Sequence, residues 1–259
     1  MRIAIVTGAS SGMGKEFVMQ IADRFNGIEE IWAIARRQEA MESLAPLVPV
    51  RLRVFPLDLT KESCLSSLQD TLEKEKPEIK WVINAAGYGK IGSVGSVNLG
   101  DEMGMVDLNC RALIAVTHIV LPYMSTNSRI IQFASAASFM PQPGFAIYAA
   151  TKSFVLSYSR ALNVELNKKG IYVTAVCPGP VRTEFFDIAE TTGEIPALKK
   201  LVMADPKRVV RLALRDSMMG RSVSVYGGTI KALRLAAKAM PHSLILRLYK
   251  GLDVMKVED

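Results

Sequence analysis

Short runs of aliphatic and β-branched residues alternate along the chain with segments whose apolar positions recur every three or four residues. The runs Ile3–Thr7, Ile31–Ala35, Arg51–Leu57, Trp81–Asn84, Arg129–Phe133, Tyr172–Val176 and Val223–Tyr226 read as strands. Several are apolar at successive positions, the pattern of strands covered by helices on both faces. Helical spacing follows in Lys15–Phe25, where Phe17, Val18, Ile21 and Ala22 share a face, and in Glu39–Leu47, Lys61–Lys74, Asp101–Tyr123 and Tyr148–Lys168. Repeated β–α–β units predict an α/β fold in a single domain, a doubly wound and mostly parallel sheet of about seven strands.

Two stretches break the rhythm. Thr183–Asp205 is longer than an ordinary connection, and such loops often cover sites. Beyond Tyr226-Gly227-Gly228, residues 229–259 form a basic amphipathic helical extension of the 1–228 body. Ile230, Leu233, Ala237 and Met240 make its apolar stripe, and Pro241 opens a second helix through Tyr249.

Composition narrows the class. The 259 residues are 49% hydrophobic and 22% charged, ordinary for one globular α/β domain. The net charge is +7, with Lys231, Arg234, Lys238, Arg247 and Lys250 gathered in the tail. Such a stretch fits a solvated helix face or an anionic surface, and does not by itself point to nucleic acid. Cys64, Cys110 and Cys177 lack metal or redox spacing, and the only histidines are His118 and His242, so no metal site is expected. The thiols suit a reducing compartment, and Met1–Val6 leaves no room for a leader, so a cytoplasmic location without a membrane-spanning helix is expected.

Thr7, Gly8, Ser10, Ser11, Gly12, Met13 and Gly14 join the first strand to the first helix. Gly8 permits a tight turn, Gly12 a close backbone approach to a pyrophosphate, and Gly14 close helix–sheet packing. The second strand ends at Arg36-Arg37 with no acid. Paired guanidinium groups favour a 2′-phosphate, hence NADP(H) over NAD(H); two solvated arginines are the alternative. Tyr148 and Lys152, four residues apart, fall on one helix face, where an ammonium would lower the phenol's pKa toward neutrality.

The TGxxxGxG spacing, the YxxxK pair and their order resemble the classical short-chain dehydrogenases, over roughly residues 1–228. That resemblance implies a Rossmann fold and further roles. Ser135, thirteen residues before Tyr148, would be the catalytic serine, with Ser138 the competitor. Asn109 would hold a water linking Lys152 to solvent. Asp58, with Leu59 beside it, would face the adenine, and Asn84, Ala85 and Gly87 would wall the cofactor. Pro178, Gly179, Val181 and Thr183 would line the nicotinamide end, where Tyr148 and Lys152 also touch the cofactor.

The expected activity is NADP(H)-dependent reduction of a carbonyl, or oxidation of an alcohol, with Tyr148 as general acid or base. Phe139, Met140, Phe145, Phe185, Phe186, Ile188, Ile195, Leu198 and Leu201 suggest an apolar small-molecule substrate such as a steroid, lipid-like or aromatic ketone; packing of the loop onto the body is the other reading. A 3-oxoacyl-thioester reductase is the nearest alternative, and a non-catalytic NADP-binding sensor or scaffold the alternative of another class. The family also implies a homodimer or higher oligomer through Asp101–Tyr123 and Tyr148–Lys168. The tail is expected to pack on protein, with a peripheral membrane contact as the alternative.

Overall fold

The computed structural model describes residues 1–192 and 203–251. Seven parallel strands form one sheet in the order β3-β2-β1-β4-β5-β6-β7. They are β1 (Arg2–Thr7), β2 (Glu30–Ala35), β3 (Arg51–Pro56), β4 (Glu78–Asn84), β5 (Met124–Phe133), β6 (Tyr172–Val176) and β7 (Val223–Ser224). The helices are α1 (Gly12–Arg24), α2 (Gln38–Glu42), α3 (Glu62–Glu75), α4 (Leu99–Tyr123), α5 (Ala146–Asn167), α6 (Phe185–Ala189), α7 (Pro206–Met218), α8 (Gly228–Ala239) and α9 (His242–Gly251).

Strand alternation divides the core. Ala4 and Val6 face α1 and α7, packing with Phe17, Val18, Ile21 and Val210. Ile3 and Ile5 face the other layer, with Leu68, Val116, Leu162 and Leu166 from α3, α4 and α5. Both clusters are buried, which is why the central strands are apolar at successive positions. Burying one such side chain contributes about 1.5–3 kcal/mol.

Several boundaries differ from the sequence pattern. The expected Glu39–Leu47 helix stops at Glu42 and resumes as a 3-10 turn, Ala45–Leu47. Pro46 has no backbone N–H and cannot continue the ladder. β5 begins at Met124, and β7 is only two residues long. The first pairs with β4 across a register shift between Ile79 and Trp81. Asn98 caps α4 by accepting from Asp101 N, and Asp205 caps α7 by accepting from Lys207 N.

α4 is long and apolar enough to cross a membrane, which single apolar runs did not suggest. Its Ala112, Val116 and Val120 are nonetheless packed in the second core layer. Its six residues Asp107–Ala112 form a π turn. In the tail, Leu233, Ala237, Met240 and Ile245 pack against Phe139 and Met140, so the apolar stripe rests on protein.

Candidate active site

The strand order reverses between β1 and β4, and their carboxyl ends leave a crevice there. Gly8 and Gly12 have φ of 67° and 51°, a region other residues adopt at a cost. A Cβ at Gly8 would lie 2.8 Å from Ala86 N, and one at Gly14 2.1 Å from Gly8 O. At Gly12 a Cβ would lie 3.2 Å from Cβ of Thr183, which reaches over the loop from beyond β6. Ser11 makes no side-chain cap to α1, and the first turn has no acid. The helix start is therefore open to an anion such as a pyrophosphate. Met13 packs on the core below.

At the end of β2, Arg36 and Arg37 are exposed. Arg37 donates to Ser10 Oγ at 3.4 Å and ion-pairs with Glu184 at 2.9 Å. Burial works against ionisation of Asp58, but two hydrogen bonds from Thr60, with Arg36 and Lys61 nearby, hold its carboxyl below the usual range. Leu59 is buried in the core. Asn84 turns inward and donates to Thr117 Oγ1 at 3.0 Å, so only its backbone can serve as a wall. Ala85 packs on the core, and the following Ala86 N donates to Thr7 Oγ1.

Ser135, Tyr148 and Lys152 meet where β5 ends and α5 begins. The Ser135 hydroxyl lies by the Tyr148 phenol and acts to lower its pKa. Ser135 Oγ accepts from Ala137 N at 3.1 Å, which fixes the hydroxyl at the start of a 3-10 turn. Ser138 is committed elsewhere, donating to Ser135 O. Lys152 Nζ lies 5.6 Å from the centre of the Tyr148 ring and donates to Phe133 O at 2.8 Å. Burial lowers the lysine to about 8. Burial likewise pushes Tyr148 up to about 12, with Ser135 pulling the other way. The expected lowering of the phenol by its ammonium neighbour is not seen: desolvation dominates, and Ser135 alone opposes it.

Asn109 lies in the π turn and is fully buried. Its amide donates to Tyr88 O and Thr151 Oγ1, and its oxygen accepts from Tyr88 N. The side chain thus locks α4 to α5 and to the loop after β4. Gly87 sits inside this lock, where a Cβ would meet Asn109 Oδ1 at 2.7 Å and Lys152 Nζ at 3.3 Å.

On the far side, Pro178 O accepts from Ala136 N. Ile230 of α8 presses on Gly179, within 2.6 Å of where a Cβ would be. Val181 is buried and bridges to Ala204.

Tyr148 is 7% exposed. Phe145 stacks on it at 4.3 Å between ring centres, Phe185 lies at 5.3 Å, and Phe186 packs edge-on to Phe185. Gly89 gives the ring its space. Its role, like those of Tyr88, Thr151 and Glu184, carried no sequence signal. Ile195, Leu198 and Leu201 lie outside the described residues. A separate apolar cavity of about 400 Å³ lies between Met140–Pro143, the other face of α5 and His242 and Leu246 of α9.

A family model for short chain dehydrogenase matches residues 2–192. The chain belongs to the short-chain dehydrogenase family. Among curated relatives of this dehydrogenase, sulfoacetaldehyde reductase 2 of Chromohalobacter salexigens is 33% identical over 71% of the chain and 74% of its own length. Very-long-chain 3-oxoacyl-CoA reductase-B of Danio rerio is 27% identical over 92% of the chain and 77% of its own length. Among solved structures, a short-chain dehydrogenase from Sphingobium yanoikuyae in complex with NADPH superposes with a TM-score of 0.77 at 27% identity, covering 100% of this chain and 98% of that one.

Proposed function

We propose that this dehydrogenase is an NADP(H)-dependent oxidoreductase that interconverts a carbonyl and an alcohol on an apolar substrate. One observation carries the reading: the Ser135 hydroxyl set beside the Tyr148 phenol, with Lys152 buried next to the ring at the mouth of the β1/β4 crevice. The glycine loop, the open start of α1 and Arg37 fit a dinucleotide bearing a 2′-phosphate, and the similar NADPH-bound structure supports that choice. The dinucleotide, when bound, supplies or accepts hydride.

The residues of the chain handle the proton. A phenol with a pKa near 12 is neutral at pH 7, so Tyr148 is set to donate to a developing alkoxide. Ser135 hydrogen-bonds the same oxygen and holds it within reach. Lys152, charged below about pH 8, stabilises the phenolate left behind. Asn109 holds the helix carrying Tyr148 and Lys152 through Thr151. Phe145, stacked on the ring, excludes water from it, and the aromatic surroundings favour an apolar or aromatic ketone.

A 3-oxoacyl thioester is the second reading, favoured by the match to the zebrafish reductase across 92% of the chain. Leu99, Met103, Val106 and Ile114 of α4 and Phe154 and Val164 of α5 are exposed, which supports a homodimer through these helices. The free thiols Cys64, Cys110 and Cys177 fit the reducing cytoplasm.

The decisive experiment follows NADPH absorbance with aromatic ketones, steroids and 3-oxoacyl thioesters, for wild type and Tyr148→Phe. Turnover of at least one class is expected, falling about a thousandfold in the variant while NADPH binding persists. Undiminished turnover in the variant removes the mechanism. Tight NADPH binding without turnover of any carbonyl leaves a sensor or scaffold.

A further inference from the structure

Arg37 is not open to solvent alone: an acid from a distant part of the chain holds it. Its Nη2 lies 2.9 Å from Oε2 of Glu184, while Nε reaches Ser10 Oγ at 3.4 Å. Glu184 is the residue before α6. The residues on either side of it point to two other parts of the groove. Thr183 covers Gly12, and Phe185 lies against the Tyr148 ring. Three successive residues therefore touch the phosphate loop, the arginine at the 2′ end and the catalytic phenol.

A carboxylate and a 2′-phosphate cannot share this guanidinium at hydrogen-bond distance without repelling each other. The phosphate carries more charge and more acceptor oxygens, and it matches the guanidinium fork. Glu184 and Arg37 are each about half exposed, at 54%, so their pairing is worth only a few-fold in an equilibrium. It is strong enough to place the segment and weak enough to yield.

We propose, building on the NADP(H) reading above, that Glu184 is a specificity-determining residue that surrenders Arg37 to the 2′-phosphate, and that its departure draws Phe185 off Tyr148. The 2′-hydroxyl of NADH makes no such exchange, so only the phosphorylated cofactor uncovers the phenol for substrate. Cofactor choice at one end of the groove is thereby coupled to access at the other, through one short segment.

The test uses Glu184→Gln in the full chain. Equilibrium titration of NADPH and NADH, read by cofactor fluorescence, should show NADPH binding tightened about two- to fivefold and NADH unchanged. Hydrogen exchange over residues 183–192 should be faster in the wild-type NADPH complex than in the NADH complex, both saturated, and the variant should lose that difference. Unchanged or weakened NADPH binding in Glu184→Gln overturns the proposal, as does equal exchange in the two wild-type complexes. Arg37→Ala separates the two readings. If it weakens both cofactors equally, the NADP(H) assignment fails. If it weakens NADPH alone while Glu184→Gln is neutral, only the exchange of partners fails.

Discussion

Gly89 and Tyr148 are packed so closely that no methyl group fits between them: a Cβ on Gly89 would lie 2.7 Å from Cδ2 of the tyrosine ring. The same methyl would come within 2.9 Å of Phe145. Gly89→Ala should therefore push the phenol off Ser135 while leaving the glycine loop untouched. The expected result is a kcat reduced about tenfold to a hundredfold with NADPH affinity within a factor of two, since small misplacements of reacting groups carry costs of that order. Steady-state kinetics beside cofactor titration checks it. An unaltered kcat would show that the ring's position is not critical.

Lys152 sets a pH limit on reduction. Burial lowers it to about 8, so above that pH the phenolate formed on Tyr148 loses its positive neighbour. The rate of ketone reduction should be level below pH 8 and fall above it. Lys152→Met should be slow and lack that step, which a pH–rate profile of both proteins measures.

The same lysine opposes folding near neutrality. Its ordinary value is 10.5 and its folded value about 8, so between these the unfolded chain binds the extra proton. Stability therefore rises with pH across this window, by roughly 3 kcal/mol at most. Lys152→Met should melt higher than wild type at pH 7, and the gap should shrink by pH 10. A melting series over that range reads it; a lower midpoint for the variant at pH 7 would contradict the sign.

Glu30 shows the opposite balance. Its carboxylate is 2% exposed, accepts from Trp32 Nε1 at 2.7 Å and lies 3.1 Å from Arg51. Arg53 approaches at 4.0 Å and stacks over Trp32 and Phe55. Glu30→Ala should cost about 2–3 kcal/mol, because it strands a buried indole N–H and takes the acid from Arg51, while Arg53 keeps Glu75 at 2.7 Å. Urea denaturation gives the value, and a loss below about 0.5 kcal/mol would show that water replaces the carboxylate.

At the end of β2, replacing Arg36 and Arg37 together with alanine should weaken NADPH about tenfold or more and NADH little, because only NADPH offers a charged partner for the guanidinium groups. Equal losses for the two cofactors would assign these side chains a general electrostatic role instead.

Much of this was legible in the sequence, and for stated reasons. Strands buried on both faces must be apolar throughout, so β1, β2 and β4 stood out. Gly8, Gly12 and Gly14 stood at a strand-to-helix turn, and the YxxxK spacing put Tyr148 and Lys152 on one helix face. Other features depend on residues far apart in the chain. Arg37 and Glu184 are separated by 147 positions. Gly89 looks like any loop glycine until Tyr148 is packed against it. The early start of β5 was hidden because Ser125, Thr126, Asn127 and Ser128 are polar, although Ser128 is buried and donates to Ile79 O. Desolvation of Tyr148 depends on Phe145 and Phe185 closing over it, which no local pattern encodes.

The π turn at Asp107–Ala112 amounts to one surplus residue threaded into an otherwise regular helix. Deleting a single position there, Cys110 for instance, would let the ladder close in the ordinary way and keep the segments before and after it in phase. The shortened helix would still bury Val116 and Val120, yet Asn109 would swing away from Tyr88 and Thr151. The expected product is a well-folded protein emptied of its chemistry, in which heat tolerance and turnover part company by the loss of one codon.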